Sequence, residues 1–242
     1  MLRRLAAVAL LLAACGSPDT AAESLPVMTL TPEAPATSTT DRPPAPSSTA
    51  AATTTTPQPP LTVLLVDPTR LTVAPEVWGG YDRDLFPHWL DLDGDGCDTR
   101  QEVLIRDSAT LPTMHPERVC RVVAGEWWSA YDDWWTTDPA DLHIDHLVPL
   151  AEAWESGARL WDAEQREAFA NDPAGLVAVS GRSNTAKGAS DPTDWLPPHQ
   201  AVWCTYAAVW IEVKAAWNLT ADQAEFDTLA ALATDCNVSP SN

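Results

Sequence analysis

Two aliphatic segments, each bounded by residues that end strands, constrain the fold of this chain more than any other feature. The first is residues 142–148, which precede Pro149, and the second is residues 175–181, which begin and end with glycine. Aliphatic and β-branched residues favour strands, and proline and glycine commonly mark their ends. Residues 150–170 have helical spacing, and a short helix or loop carrying Asn184 follows the second strand. The order predicts an α+β unit in which two strands, separated by a helical insertion, precede a helix.

Polar residues that could carry chemistry occur in the first strand of this unit, after its helical insertion and after its second strand. Asp145 and His146 lie in the first strand, Asn171 follows the insertion, and Asn184 and Lys187 follow the second strand. An aspartate beside a neutral imidazole supplies a metal ligand and a general base, and a later asparagine can complete the ligand set. These are the parts needed to hydrolyse a phosphodiester with one divalent ion. The alternative is structural: a buried hydrogen-bonded Asp-His pair, with asparagines that cap helices or turns.

Strand geometry sets a condition on this hypothesis. Adjacent residues of an extended strand point to opposite faces, so Asp145 and His146 face one site only if the strand bends between them. Pro149 follows shortly after and makes an early end of the strand plausible. We therefore expect a bend at this point.

The N-terminal segment predicts export. Arg3 and Arg4 precede an apolar run that is too short to span a bilayer, which is typical of a signal peptide over residues 1–14. Leu12 to Gly16 resembles a bacterial lipobox, so we expect Cys15 to be lipidated and to anchor the protein to the outer face of the membrane; an ordinary secretory signal is the alternative. The rest of residues 15–60 is rich in Ala, Thr, Ser and Pro and predicts a disordered tether.

Residues 61–242 have the length of one domain, and the twelve tryptophans of the chain provide a sizeable core. An even number of cysteines in an exported domain favours two disulfides. Of three pairings we favour those between cysteines that are near in sequence, Cys97 with Cys120 and Cys204 with Cys236. A four-cysteine zinc site is disfavoured because no two cysteines have the close spacing of zinc ligands.

An acidic loop at residues 91–102 matches the complete EF-hand pattern. Gly96 would allow the sharp turn of such a loop. The alternative to a calcium site is a solvated turn held by a disulfide. The expected calcium ligands are Asp91, Asp93, Asp95, the carbonyl of Cys97, Thr99 and Glu102.

Other elements are less strongly patterned. Residues 81–90 predict a helix; residues 102–106, 119–123 and 126–128 predict short strands or turns. The last part predicts two amphipathic helices, at residues 200–218 and 221–233, which form a lid over the core clamped by a disulfide. The paired tryptophans of residues 127–135 either stack on bases or sugars or belong to the core.

The net charge of −20, from 34 acidic and 14 basic residues, disfavours tight binding to nucleic acid, because phosphate affinity comes mainly from Lys and Arg. A catalyst needs only transient contact, and a bound divalent ion adds positive charge where a phosphate lies. Arg182 and Lys187 flank Asn184. We therefore expect weak, salt-sensitive binding without sequence preference.

With these motifs in place, the chain resembles exported HNH endonucleases of the GmrSD C-terminal, or DUF1524, type. The phrases that carry the resemblance are Gly80 to Phe86, Cys97 to Asp107, Asp145 to Leu150, Phe169 to Asp172, Asn184 to Gly188 and Asp191 to Pro197.

The resemblance implies a ββα-metal (HNH) finger embedded in a mainly helical, disulfide-stapled domain. It implies that His146 is the general base, that Asp145 and Asn184 hold one Mg²⁺ or Mn²⁺ ion, and that Asn171 orients the imidazole. Lys187 would place the ligand loop or contact phosphate.

Arg100 and Arg182 are further candidates for a phosphate contact. Position 143 departs from the family pattern, which is more often acidic there; His143 either adds a ligand, changes the metal preference or faces outward.

The sequence thus predicts a metal-dependent endonuclease that acts on DNA and has no obligate protein partner, and it leaves open whether RNA is a second substrate. The rival hypothesis is a calcium-binding surface lipoprotein that binds envelope polymer or a protein without catalysis. A toxin directed at competitors would share the nuclease chemistry and differ in its target.

Overall fold

The computed structural model describes residues 65–237. The predicted signal peptide, lipidation at Cys15 and the whole of the predicted tether lie outside the described residues. Within them the fold is mixed α/β, as predicted. The helices are α1 (Thr99–Asp107), α2 (Leu150–Glu155), α3 (Ala163–Ala170), α4 (Gly181–Lys187), α5 (Trp203–Ala216) and α6 (Gln223–Cys236). The strands are β1 (Thr72–Val73), β2 (Thr113–Met114), β3 (Val122–Ala124), β4 (Trp127–Ser129), β5 (Trp134–Thr136), β6 (Leu142–His146), β7 (Leu176–Ser180) and β8 (Thr220–Ala221).

The eight strands form four two-stranded sheets. Three are antiparallel (β2 with β3, β4 with β5, β6 with β7), and β1 pairs with β8 in parallel. None of the helices in residues 65–237 is both long and apolar enough to cross a membrane.

The central hairpin is built as the aliphatic segments predict. β6 and β7 pair from Leu142 opposite Ser180 to His146 opposite Leu176. Ser180 ends β7 and is also the N-cap residue of α4, where its hydroxyl accepts from the backbone N–H of Ser183. Because no loop intervenes, α4 is held at a fixed position beside the hairpin.

The segment between the two strands is helical, as expected. α2 begins directly after Pro149, a residue that fits a helix start because it lacks an N–H. α3 begins at a capping box in which Asp162 and Gln165 bond to each other's backbone N–H groups. α3 ends at Ala170, with Asn171 as its C-cap residue, close to the end of β6. The last residues of the insertion therefore lie at the same end of the hairpin as His146.

One face of the hairpin packs on α1. Leu142 and Ile144 of β6 join a buried cluster with Val103, Leu104 and Trp127, and the indole N–H of Trp127 donates to the carbonyl of Leu104 at 2.8 Å. Burial of aliphatic side chains of this size contributes about 1.5–3 kcal/mol each. The cluster fixes one face of β6 and leaves its other face toward α4.

The larger core surrounds α5 and corrects one prediction. We expected an amphipathic lid, but α5 buries residues on several sides, including Tyr206, Trp210 and Ile211. The helix also carries the fully buried Lys214, which pairs with Glu152 of α2 and Glu225 of α6 at 2.6 Å each. α5 is therefore a central element rather than a cover.

Two further predictions are wrong. Residues 81–90 contain a single 3₁₀ turn at Arg83–Leu85, capped by the side chain of Asp82, instead of a helix. Pro87 explains this result, because proline ends a helix and disfavours helical geometry in the residue before it. Residues 102–106 lie in α1, whose N-cap Asp98 accepts from the backbone N–H of Gln101.

The cysteines pair as predicted. Cys97 is bonded to Cys120 and Cys204 to Cys236. The first disulfide joins the middle of the acidic loop to the segment before β3, and the second joins the start of α5 to the end of α6.

Candidate active site

The end of β6 presents polar side chains on two faces. Asp145 and His146 are both paired in register with β7, opposite Val177 and Leu176. The expected bend between them is therefore absent, and alternation along the strand directs their side chains to opposite faces. Each side chain has its own set of partners.

His146 is held by the main chain. Its Nε2 lies 2.8 Å from the carbonyl oxygen of Ala170, the last residue of α3. A carbonyl only accepts, so Nε2 carries the hydrogen and Nδ1 is left with a free lone pair. Burial lowers the pKa of His146 to about 3, an effect that the hydrogen bond to Ala170 only partly offsets and to which Arg83 and His88 add. The ring is consequently neutral at physiological pH.

The Nδ1 atom of His146 makes no hydrogen bond within residues 65–237. It is not one of the completely buried side-chain N or O atoms without a partner there, which are His199 Nδ1 and Tyr206 Oη. His146 as a whole is 7% exposed, so it offers an unprotonated acceptor nitrogen at the edge of the buried region.

Asn171 does not make the expected hydrogen bond to His146. Its oxygen accepts from the Leu90 N–H at 3.1 Å and from the Thr99 hydroxyl at 3.0 Å, and its NH₂ group donates to the carbonyls of Pro87 and Glu167. The amide is buried, and these four bonds occupy its donors and its oxygen. The imidazole of His146 is oriented instead by the carbonyl of Ala170, the residue before Asn171. Asn171 fixes the loop at residues 87–90, which packs against that imidazole.

That loop carries residues that the sequence did not single out. His88 and Trp89 pack against His146, with ring centroids 5.9 and 5.5 Å away. The Nδ1 of His88 donates to the carbonyl of Phe86, so its Nε2 accepts from Arg83 at 3.2 Å. Trp89 has φ of 60°, a conformation that a bulky residue adopts only when its surroundings require it. The loop thus places a guanidinium and a second imidazole beside His146.

Asp145 lies on the α4 face in a buried polar cluster. Its Oδ2 accepts from Lys187 Nζ at 2.6 Å and from the Tyr131 hydroxyl at 2.7 Å, and Lys187 also donates to the carbonyl of His146. Burial lowers the pKa of Lys187, and Asp145 partly offsets that effect. Lys187 is wholly buried, so it acts as a structural tie between α4 and β6 rather than as a free phosphate contact.

The second carboxylate oxygen of Asp145 has no hydrogen bond to any residue from 65 to 237. It is also not one of the completely buried, unpaired atoms named above, so it is not fully removed from solvent. On the same face of β6, His143 lies two residues earlier, and its Nδ1 is 3.4 Å from Asn184 Nδ2 of α4. Asp145, His143 and Asn184 thus offer oxygen and nitrogen donors that fit a divalent ion in chemical type.

The two arginines expected to contact phosphate have protein partners. Arg100 donates to the carbonyls of Pro139 and Leu142 at 3.2 Å each, which ties α1 to the start of β6. Arg182 pairs with Asp132 at 2.6 Å and lies over the ring of Trp134, although most of its side chain stays exposed. Arg100 is a structural residue; Arg182 keeps an accessible charge.

The acidic loop has part of the expected geometry. Carboxylate oxygens of Asp91, Asp93 and Asp95 lie within 4.8 Å of one another. The pKa of Glu102 is raised by burial and by these three charges. Thr99 is not part of this group, because its hydroxyl donates to the carbonyl of Leu90 and to Asn171.

The paired tryptophans of residues 127–135 differ in burial, and burial decides which of them belong to the core and which could stack on bases or sugars. Trp127 is fully buried and belongs to the core. Trp128 donates to Asp133, and Trp135 is 53% exposed. Only Trp135 has a largely free ring on the surface.

Comparison with known proteins identifies the family of the chain. Residues 98–232 match the family model described as GmrSD restriction endonucleases, C-terminal domain. A protein of Arthroderma benhamiae named "Uncharacterized secreted protein" is 42% identical over 169 residues, which cover 69% of this chain and 81% of that protein. No solved structure matches the chain. The chain belongs to the GmrSD C-terminal domain family, which confirms the resemblance found in the sequence.

Proposed function

We propose that this chain is an exported, metal-dependent endonuclease that hydrolyses phosphodiester bonds of DNA, and of RNA, with little sequence preference. The family membership supports a nuclease, and the name of the related secreted protein supports export. The observation that carries the proposal is His146, whose neutral imidazole keeps an Nδ1 that is not completely buried and makes no hydrogen bond within residues 65–237, while its Nε2–H is fixed on Ala170. The proposal retains a lipid anchor on Cys15 at the outer face of the membrane.

His146 acts on the water that attacks phosphorus. Nδ1 accepts a proton from this water as the new P–O bond forms, and the 3′ oxygen leaves and takes up a proton from solvent. The products are a 5′-phosphate and a 3′-hydroxyl. No prior deprotonation of the imidazole is needed at neutral pH, because its pKa of about 3 keeps it neutral.

Asp145 and Asn184 would hold the divalent ion, Mg²⁺ or Mn²⁺, on the α4 face of β6. When bound, such an ion neutralises charge that develops on the phosphate oxygens. Since β6 ends at His146, a phosphodiester that crosses this end of the strand can reach donors on both faces. Arg83 and His88 would contact the phosphates on the imidazole side, where the charge of Arg83 partly offsets the repulsion expected from a chain of net charge −20.

The test uses the full chain and supercoiled plasmid DNA, with Mg²⁺ or Mn²⁺ in one series and EDTA in the other. We expect nicked and then linear plasmid only with metal, and ends that ligate without prior phosphorylation. Cleavage that is unchanged by EDTA, or its complete absence with every divalent ion, would contradict the proposal. RNA of similar length, assayed in parallel, measures the preference between the two substrates.

We also propose that the acidic loop binds a different metal ion, a structural calcium. Its ligands would be the side chains of Asp91, Asp93, Asp95 and Glu102 and the carbonyl of Cys97. The convergence of the three aspartates supports it. Calcium would relieve the repulsion among these carboxylates and brace the start of α1. Calcium binding without any metal-dependent cleavage would favour the rival function, a calcium-binding surface protein.

A further inference from the structure

The ring of His143 lies at a defined position between β6 and α4. It lies against Gly181, the first residue of α4, where a Cβ atom would come within 3.0 Å of His143 Nε2. That separation is tighter than most side-chain contacts allow, so the absence of a side chain at position 181 makes room for the ring. The backbone and the imidazole are therefore fitted to each other, even though His143 is exposed to solvent.

The contact of His143 with Asn184 has the spacing of two metal ligands. Bonds of about 2.1 Å that meet a metal at 90–110° place their donor atoms about 3.0–3.4 Å apart. The separation between His143 Nδ1 and Asn184 Nδ2 is 3.4 Å, at the long end of a hydrogen bond. Rotation of the amide by 180° brings its oxygen to the same position, because the two amide atoms are interchangeable by rotation.

Asp145 completes the set from the same strand face. It lies two residues after His143, and its Oδ1 is free while Oδ2 is held by Lys187 and Tyr131. Lys187 is itself three residues after Asn184 on α4, so the strand and the helix present matching pairs of side chains to each other. One oxygen of Asp145 is thereby held in position with no partner of its own within residues 65–237.

We propose that His143 is a third ligand of the divalent ion, with Asp145 Oδ1 and the amide oxygen of Asn184, and that it shifts the metal preference of this site away from Mg²⁺. The inference rests on the proposed function for the presence of a metal at this place. Imidazole nitrogen suits the later transition metals, such as Fe²⁺, Ni²⁺ and Zn²⁺, whereas sites of carboxylate, carbonyl and water oxygens suit Mg²⁺ and Mn²⁺. The histidine at position 143 therefore defines a nuclease tuned to transition metals.

The experiment measures metal binding apart from catalysis. The untagged full chain is titrated with Co²⁺, and its visible absorption, which responds to nitrogen ligation, is compared among wild type, His143→Ala, His143→Asp and the control His115→Ala. His115 lies between β2 and β3, where it accepts from the backbone N–H of Glu117. Circular dichroism verifies that each variant is folded.

We expect wild type and His115→Ala to bind Co²⁺ alike, and His143→Ala to bind it about tenfold or more weakly, without the nitrogen-dependent absorption. His143→Asp should recover binding, with a smaller preference for Co²⁺ over Mg²⁺ than wild type has and without the nitrogen-dependent absorption. The aspartate cluster at residues 91–95 binds through oxygen only, so it contributes no nitrogen signal.

Equal Co²⁺ affinity and equal spectra for wild type and folded His143→Ala would overturn the metal inference, and would leave the proposed function intact if both cleave DNA. Co²⁺ binding that depends on His143, in a protein that cleaves no nucleic acid, would support the metal site and overturn the proposed function.

Discussion

Lys187 and Asp145 form a buried ion pair across the interface of α4 and β6, with 2.6 Å between Nζ and Oδ2. Both side chains are almost completely removed from solvent, and the same ammonium donates to the carbonyl of His146. The pair therefore connects the helix that carries Asn184 to the strand that carries His146, the proposed general base. Together with the direct connection of β7 to α4, this buried ion pair holds the two halves of the candidate site in position.

Replacement of Lys187 by Met should destabilise the protein by about 3–5 kcal/mol, because it leaves the Asp145 carboxylate buried without its counter-charge. Urea unfolding at neutral pH measures the change. Thr185→Met is the matched control on the exposed side of α4, and we expect it to shift stability by less than about 0.5 kcal/mol. A loss below about 1 kcal/mol in Lys187→Met would show that the pair is not the link described.

His146 predicts a pH dependence of stability with a definite sign. Its pKa is about 3 in the folded protein and close to 6.5 when unfolded, so the unfolded state binds the extra proton between these values. The contribution of the neutral ring is complete above pH 6.5 and is lost as the pH falls toward 3. In His146→Gln this loss is absent. As the pH falls, the free energy of unfolding of the wild type should therefore decrease more steeply than that of His146→Gln, by up to about 1.4 kcal/mol per pH unit. Parallel curves for the two proteins from pH 7 to 4.5 would contradict the assignment.

The same low pKa predicts the acid limb of catalysis. Because the free-enzyme base stays neutral, kcat/KM should not decline with a pKa near 6.5, and any acid limb should lie below about pH 5. Initial cleavage rates of a short labelled duplex, at fixed metal concentration, measure this profile. A limb centred near pH 6.5 would mean that His146 is more exposed than its contacts indicate.

Asn171→Ala should reduce activity through the loop at residues 87–90 rather than through the proton transfer itself. The variant removes four hydrogen bonds, two of which hold Pro87 and Leu90, and stability should fall by about 1–3 kcal/mol. The pH profile should keep its wild-type shape, because the bond from His146 to Ala170 remains. A displaced acid limb would assign Asn171 the direct orienting role that the sequence suggested.

Arg83→Ala tests the phosphate contact beside the imidazole. We expect a higher KM, a smaller change in kcat, and a salt dependence of duplex binding whose log–log slope is lower by about 0.9. Arg118→Ala, an exposed arginine between β2 and β3, is the control and should leave the slope unchanged. Equal slopes for wild type and Arg83→Ala would remove Arg83 from the substrate path.

The central hairpin was predictable because its signals are local. Aliphatic and β-branched residues in β6 and β7, Pro149 and the flanking glycines specify two strands without reference to the rest of the chain. The pairing of near cysteines and the helical insertion follow from equally short-range patterns. The Asp145-His146 pair was found from its chemistry, and the strand rule correctly marked the difficulty of bringing both side chains to one face.

The partners of these side chains were not predictable from the sequence. The orienting group of His146 is a main-chain carbonyl, which any residue supplies, so no side chain marks Ala170. The burial of Lys187 and the loop of Arg83 and His88 depend on contacts between distant segments. Pro87 is a local signal that excludes a continuous helix at residues 81–90. It indicates a loop at this point of the chain.

The rate of plasmid cleavage by His146→Ala, relative to wild type at the same metal concentration, tests the central claim most directly. A general base contributes about 10²–10⁴-fold, and the folded variant should be slower by that factor, with metal binding at the α4 face retained. Cleavage by folded His146→Ala within about threefold of the wild-type rate would contradict the assignment of the base.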